Sequence, residues 1–148
     1  MKETIPSALG IIAGKGAYPW LLADSARKQG VSRIVAVAFK KETDPVIEKY
    51  ADDVKWLHLG QLGPLLEELK QSGVRHAVMA GQITPTHLFT VRMDRPLLNL
   101  LARLKERNAE TIFGAVGDEL KAIGIELMPA SLFMEQCMPE PGVLGARQ

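Results

Sequence analysis

Hydrophobic positions along this chain fall into short unbroken runs separated by longer stretches of helical spacing. Leu9, Ile11, Ile12 and Ala13 belong to the first run, and "RIVAVAF" at residues 33–39 forms the second. Neither alternates, the pattern of strands covered on both faces. "VKWLHLG" at 54–60 alternates more and predicts a strand nearer an edge, while "VRHAVMAG" at 74–81 and "IELMPA" from Ile125 predict the fourth and fifth. Between these runs, residues 19–29 carry Trp20, Leu21, Leu22, Ala23 and Ala26 at helical spacing, with Gly30 at the expected left-handed C-cap. Asp44-Pro45 predicts the cap and first turn of a short helix ending near Tyr50. Leu65, Leu66 and Leu69 mark one face of a helix over 64–72 that stops at Gly73, and 96–107 and 109–123 read as two more helices, the second closed by Gly124.

Strands alternating with helices in this order predict an α/β fold, a Rossmann-like three-layer sandwich on a mainly parallel sheet of about five strands. Ligands of such sheets bind outside the carboxyl ends of the strands, near a topological switch point. That rule selects residues 14–17, 40–43, 60–61, 81–86 and 129–135.

Composition narrows the function. The chain has 148 residues, 47% hydrophobic and 24% charged, which suits one globular domain. A net charge of +1 gives no bulk field to draw it onto nucleic acid, so none is expected as a partner and any anion is held locally. The single cysteine, Cys137, excludes an internal disulfide and every multi-cysteine metal motif, and points to the cytoplasm. The apolar stretch after residues 1–7 stops at Gly14-Lys15-Gly16, too short for a signal peptide or membrane span.

The candidate chemistry sits in two loops. "GKGAYP" follows the first strand, so that Gly14, Lys15, Gly16 and Ala17 bring backbone N–H groups toward a helix start, where an anion is favoured. Pro19 replaces the third glycine of the dinucleotide fingerprint, and the end of the second strand offers Lys40 and Lys41 rather than an acid, which disfavours NAD. Nor does the Gly-Lys pair precede the serine or threonine of a Walker A loop. "MAGQITPTH" repeats the arrangement after the fourth strand, with Gly81, Gln82 and Thr84 placed to orient a ligand. His58, His76 and His87 are too scattered for one metal motif, His58 and His76 fall inside predicted strands, and the basic group Arg92, Arg95, Arg103, Lys105 and Arg107 reads as a solvated face. No local signature of a nucleophile with its base, nor any carboxylate cluster for two metals, is present; no catalytic or metal-ligating residue is assigned.

"LGIIAGKGAYP", "MAGQITP" and "GAVGDELKAIGIELMPASLFMEQCMPEPGVLG" together resemble, in order and spacing, the N-terminal half of the LpxI-type UDP-2,3-diacylglucosamine pyrophosphatases of lipid A biosynthesis. The resemblance covers essentially the whole chain. It implies a hydrolase that splits UDP-2,3-diacylglucosamine into UMP and 2,3-diacylglucosamine 1-phosphate (lipid X), assisted by a divalent cation such as Mg²⁺. It further implies residues 1–136 as a substrate-binding domain and 137–148 as a tail resembling a linker to a C-terminal catalytic domain, without which the chain is expected to be inactive. Asn108-Ala109-Glu110 stands where that family tends to show Gly-Asp-Asp before the last helix. The partners so implied are UDP-2,3-diacylglucosamine or lipid X, the chain's own catalytic domain and a second copy of the chain, in the cytoplasm or peripheral to the inner membrane. Two other classes stay open on the residues alone: a nucleotide-binding Rossmann-like domain of an oxidoreductase or transferase, and a non-catalytic binding module.

Overall fold

A computed structural model describes residues 6–81, 93–106 and 108–129. The elements run β1 (Ala8–Ala13), α1 (Tyr18–Lys28), β2 (Arg33–Phe39), a 3-10 turn (Pro45–Lys49), β3 (Asp53–Leu57), α2 (Leu62–Ser72), β4 (His76–Ala80), α3 (Arg95–Ala102), α4 (Ala109–Ala122) and β5 (Glu126–Leu127). All four strand pairings are parallel, and the order across the sheet is β3-β2-β1-β4-β5. This is the doubly wound Rossmann order, with the connection reversing direction between β1 and β4.

Period-two alternation divides the strand residues between two apolar layers. Leu9, Ile11 and Ala13 of β1, with Ile34, Ala36 and Ala38 of β2, pack beneath α1 and the 3-10 turn through Leu22, Ala23, Ala26 and Ile47. Five alanines in that set let α1 lie close to the sheet. Ile12, Val35, Val37 and Phe39 face the other way, onto α2, α3 and α4 through Leu65, Leu69, Leu97, Leu100, Ile112 and Leu120. Residues 34–39 are all buried, which accounts for the unbroken apolar run of β2. Every predicted element is present, and β3 is an edge strand as its alternation predicts.

The ends shift for local reasons. β3 stops at Leu57 rather than residue 60, because the Gln61 side chain accepts from the His58 amide at 2.8 Å and closes a turn; His58 therefore lies just outside the strand, while His76 is in β4. β5 shrinks to two residues. The Ile125 amide still bonds to the Leu120 carbonyl at 2.9 Å, and Pro129 has no amide to extend the ladder. α3 ends at Ala102 instead of 107, its last turn closed by the Arg103 amide on the Leu100 and Leu101 carbonyls.

At the amino edge of the sheet, a polar clamp joins α1 to β2 and the start of β3. Arg27 donates to the Ser32 carbonyl at 3.1 Å, the Tyr50 carbonyl at 3.0 Å and the Asp52 carboxylate at 3.1 Å. Asp52 also accepts from the Ile34 amide at 2.8 Å. That amide, opposed by desolvation and helped by Arg27 and Arg33, holds the Asp52 carboxyl below its ordinary value of 3.8.

Candidate functional site

Parallel strands deliver residues 14–17, 40–43, 60–61 and Gly81 to one edge, the carboxyl ends of β1, β2, β3 and β4. Two of these loops touch. The Gly14 amide donates to the Ala80 carbonyl at 2.7 Å, carrying the β1–β4 ladder one residue past the end of β1 onto the last residue of β4. Gly81 then turns with φ +95°, and a Cβ there would lie 2.8 Å from both the Gly14 carbonyl carbon and the Lys15 oxygen. No other residue type fits this contact, so backbone meets backbone at the switch point.

Beyond the contact the chain opens outward. Gly14 is buried, whereas Lys15, Gly16 and Ala17 are exposed. Gly16 has φ +100°, and a Cβ built on it meets nothing within 4 Å. α1 begins directly after, with Ala17 as its N-cap, no side-chain capping bond and no acid in its first turn. A helix N-terminus of this kind carries partial positive charge toward the sheet edge. Sequence reasoning thus placed Gly14, Lys15, Gly16, Ala17 and Gly81 together correctly; Gln82 and Thr84 lie outside the described residues.

The neighbouring corner is closed instead. Asp94 Oδ1 accepts from the Leu97 amide of α3 at 3.0 Å, while its Oδ2 accepts from the Gly63 amide of α2 at 2.8 Å. One carboxylate satisfies two helix N-termini. Under this corner, on the α2–α4 side of the sheet, an open apolar cavity of about 70 Å³ is lined by Ile12, Phe39, Leu59, Met79, Leu97, Phe113 and Val116, among others. Ile12 and Met79 are register partners one pair before Ala13 and Ala80. The cavity and the glycine loops therefore share β1 and β4, about 7 Å apart along the strands.

The turn after β2 corrects the sequence reading. An acid does stand at the end of the second strand: Glu42, following Lys40 and Lys41. Thr43, 5% exposed, accepts from the Phe39 amide at 2.9 Å and donates to the Ala13 carbonyl at 2.6 Å, which fastens this turn to the base of the glycine loop. Lys41 takes φ +69°, the one non-glycine positive φ among the described residues. Glu42 is thereby brought to Lys15, with its carboxylate 3.8 Å from the ammonium; its side chain is 9% exposed against 61% for Lys15. The signal available was the rule that selected residues 40–43.

Among the described residues no group of three or more His, Cys, Asp and Glu is placed to hold a metal. His87 and Cys137 lie outside the described residues. Asn108, where a Gly-Asp-Asp turn was the expectation, caps α4: it accepts from the Thr111 amide at 2.9 Å while Thr111 accepts from its own amide at 3.1 Å. Arg103, from the basic group, pairs with Glu119 at 2.8 Å. No described helix is long and apolar enough to cross a membrane.

A search of curated proteins returned no match. The family model described as the LpxI N-terminal domain matches residues 8–137, from the first residue of β1 past the end of the described chain. The match takes in both glycine loops, the Glu42 turn and the apolar cavity, and the chain belongs to the LpxI N-terminal domain family.

Proposed function

We propose that this chain is the substrate-binding domain of a UDP-2,3-diacylglucosamine pyrophosphatase of lipid A biosynthesis. It holds UDP-2,3-diacylglucosamine or its product, lipid X, while hydrolysis to UMP uses groups outside the described residues. The observation that carries this reading is the contact of two glycine loops at the β1–β4 switch point of an LpxI-family domain, beside a helix start that lacks a capping side chain. Exposed amides and Lys15 suit a phosphate there.

A thermal-shift panel of UDP, UMP, UDP-N-acetylglucosamine, lipid X and NAD tests it. Binding at 100 times Kd adds about 2.7 kcal/mol of stability. Stabilisation by UDP and lipid X but not NAD is expected. A response to NAD alone would move the chain to the dinucleotide-binding class, and no response to any of the five would leave only the binding-module reading. In an assay of UMP release, the chain by itself is expected to turn over no UDP-2,3-diacylglucosamine, because positioned charge for phosphoryl transfer is not found among its described residues.

A further inference from the structure

The two edges of the sheet are finished differently. β5 is two residues long and runs into Pro129, which has no amide to offer a further strand. β3 keeps all five residues, with no proline and no positive φ, and its outer side pairs with no strand among the described residues. The inner side decides which backbone groups face outward. The Asp52 amide donates to the Ile34 carbonyl and the Lys40 amide to the Leu57 carbonyl, each at 2.8 Å, so the even-numbered residues of β2 face β3. In the register Val35↔Asp53 they bond to Asp53, Lys55 and Leu57, which leaves Val54 and Trp56 with amide and carbonyl turned out of the sheet. An open row of this kind is a template for another strand.

The side chains select the strand that fits. Asp53 and Lys55 are exposed on the α2 face of β3, beside Arg33 and Glu68, while Val54 and Trp56 pack on the α1 layer, as do the stacked rings of Trp20 and Tyr50. Asp53 stands 4.0 Å from Arg33, the loosest ion pair among the described residues, and Lys55 makes none there. A lone Lys55 blunts the edge against a neutral strand, but Asp53 two residues before it makes the edge complementary to itself. With a second β3 antiparallel to the first and the two-fold axis at Val54, the two Val54 residues exchange amide-to-carbonyl bonds. Asp53 of each copy then lies opposite Lys55 of the other, with Cα atoms about 4.5 Å apart, and Trp56 reaches the other Val54 on the diagonal. An axis at Asp53 or Lys55 opposes like groups and presents backbone already bonded to β2. We propose that β3 is the interface of a homodimer, in which a second copy of this chain adds antiparallel through Val54 and two Asp53–Lys55 pairs fix the register.

Sedimentation velocity of the 148-residue chain over a concentration series tests it, and the unaltered chain is expected to dimerise. Lys55→Glu sets acid against acid in both pairs, and Asp53→Lys sets lysine against lysine; each should weaken self-association about tenfold. An equimolar mixture of the two variants should form a heterodimer, because every pair across it is again of opposite charge. The double variant Asp53→Lys/Lys55→Glu restores both pairs within one chain and should dimerise like the unaltered protein. Both positions are exposed, so circular dichroism of the variants should match that of the unaltered chain. A monomer at every concentration overturns the proposal. So does a dimer that either single reversal leaves intact, which places the interface on another surface, and so does a double variant that folds and stays monomeric.

Discussion

Helix α1 has a glycine with positive φ just beyond each end, and the two differ in their surroundings more than in their geometry. Gly16 precedes the helix with φ +100° and Gly30 follows it with φ +116°; a Cβ on either meets nothing within 4 Å. Gly30 belongs to the amino edge, where Arg27, Asp52 and the amide of Ile34 are tied by bonds of 2.8 to 3.1 Å. Gly16 belongs to the carboxyl edge, between an uncapped helix start and an ion pair left 3.8 Å apart. Similar backbone geometry thus stands in two settings: Gly30 follows the end of a helix beside a polar clamp, and Gly16 precedes a helix start that has no side-chain cap. On the function proposed above, Gly30 is needed for its dihedrals and Gly16 for the space above it.

The strongest way to break the carboxyl edge is Gly81→Ala. Both φ +95° and a Cβ at 2.8 Å from the backbone of Gly14 and Lys15 oppose it, and a loss of about 3 kcal/mol in chemical denaturation is expected. Next comes Thr43→Val, which strands the Phe39 amide and removes the donor to Ala13 in a buried place; about 2 kcal/mol should be lost. At the amino edge Asp52→Ala should cost only about 1 kcal/mol, because both members of that clamp are partly exposed. Its pH signature has a definite sign. The folded carboxyl titrates below 3.8, so the stabilisation is present in full above that pH and declines as pH falls through the folded value. Denaturation midpoints of wild type and Asp52→Ala should therefore converge in acid, and a gap that widened there would contradict the assignment.

Legibility in the sequence followed the range of the contact responsible. Gly30, Gly73 and Gly124 announced helix ends from their immediate neighbours, and each has positive φ in the structure. The apolar runs of β1 and β2 needed only burial on both faces to be read. Switch-point adjacency followed from the order of elements, so Gly14 and Gly81 could be paired in advance. Glu42 was passed over because its burial depends on Thr43 reaching Ala13, thirty residues earlier, and no local pattern records that bond. Asp94 is a similar case: its position before Pro96 suggests one helix cap, whereas its second oxygen serves Gly63, thirty-one residues away. The apolar cavity under Leu59 and Leu97 likewise arises from how three helices meet the sheet, not from any one segment.

The most direct test of the central claim sets Gly16→Ala against Gly30→Ala in the same protein. Each should lower stability by about 1 kcal/mol, since each forces an alanine into a left-handed conformation with no clash. Melting temperature and UDP affinity are measured for both variants and for wild type. The account predicts similar losses of melting temperature, with UDP affinity reduced at least several-fold by Gly16→Ala and unchanged by Gly30→Ala. Wild-type affinity in Gly16→Ala would contradict it, and would leave the glycine loop after β1 as a turn like the one after α1.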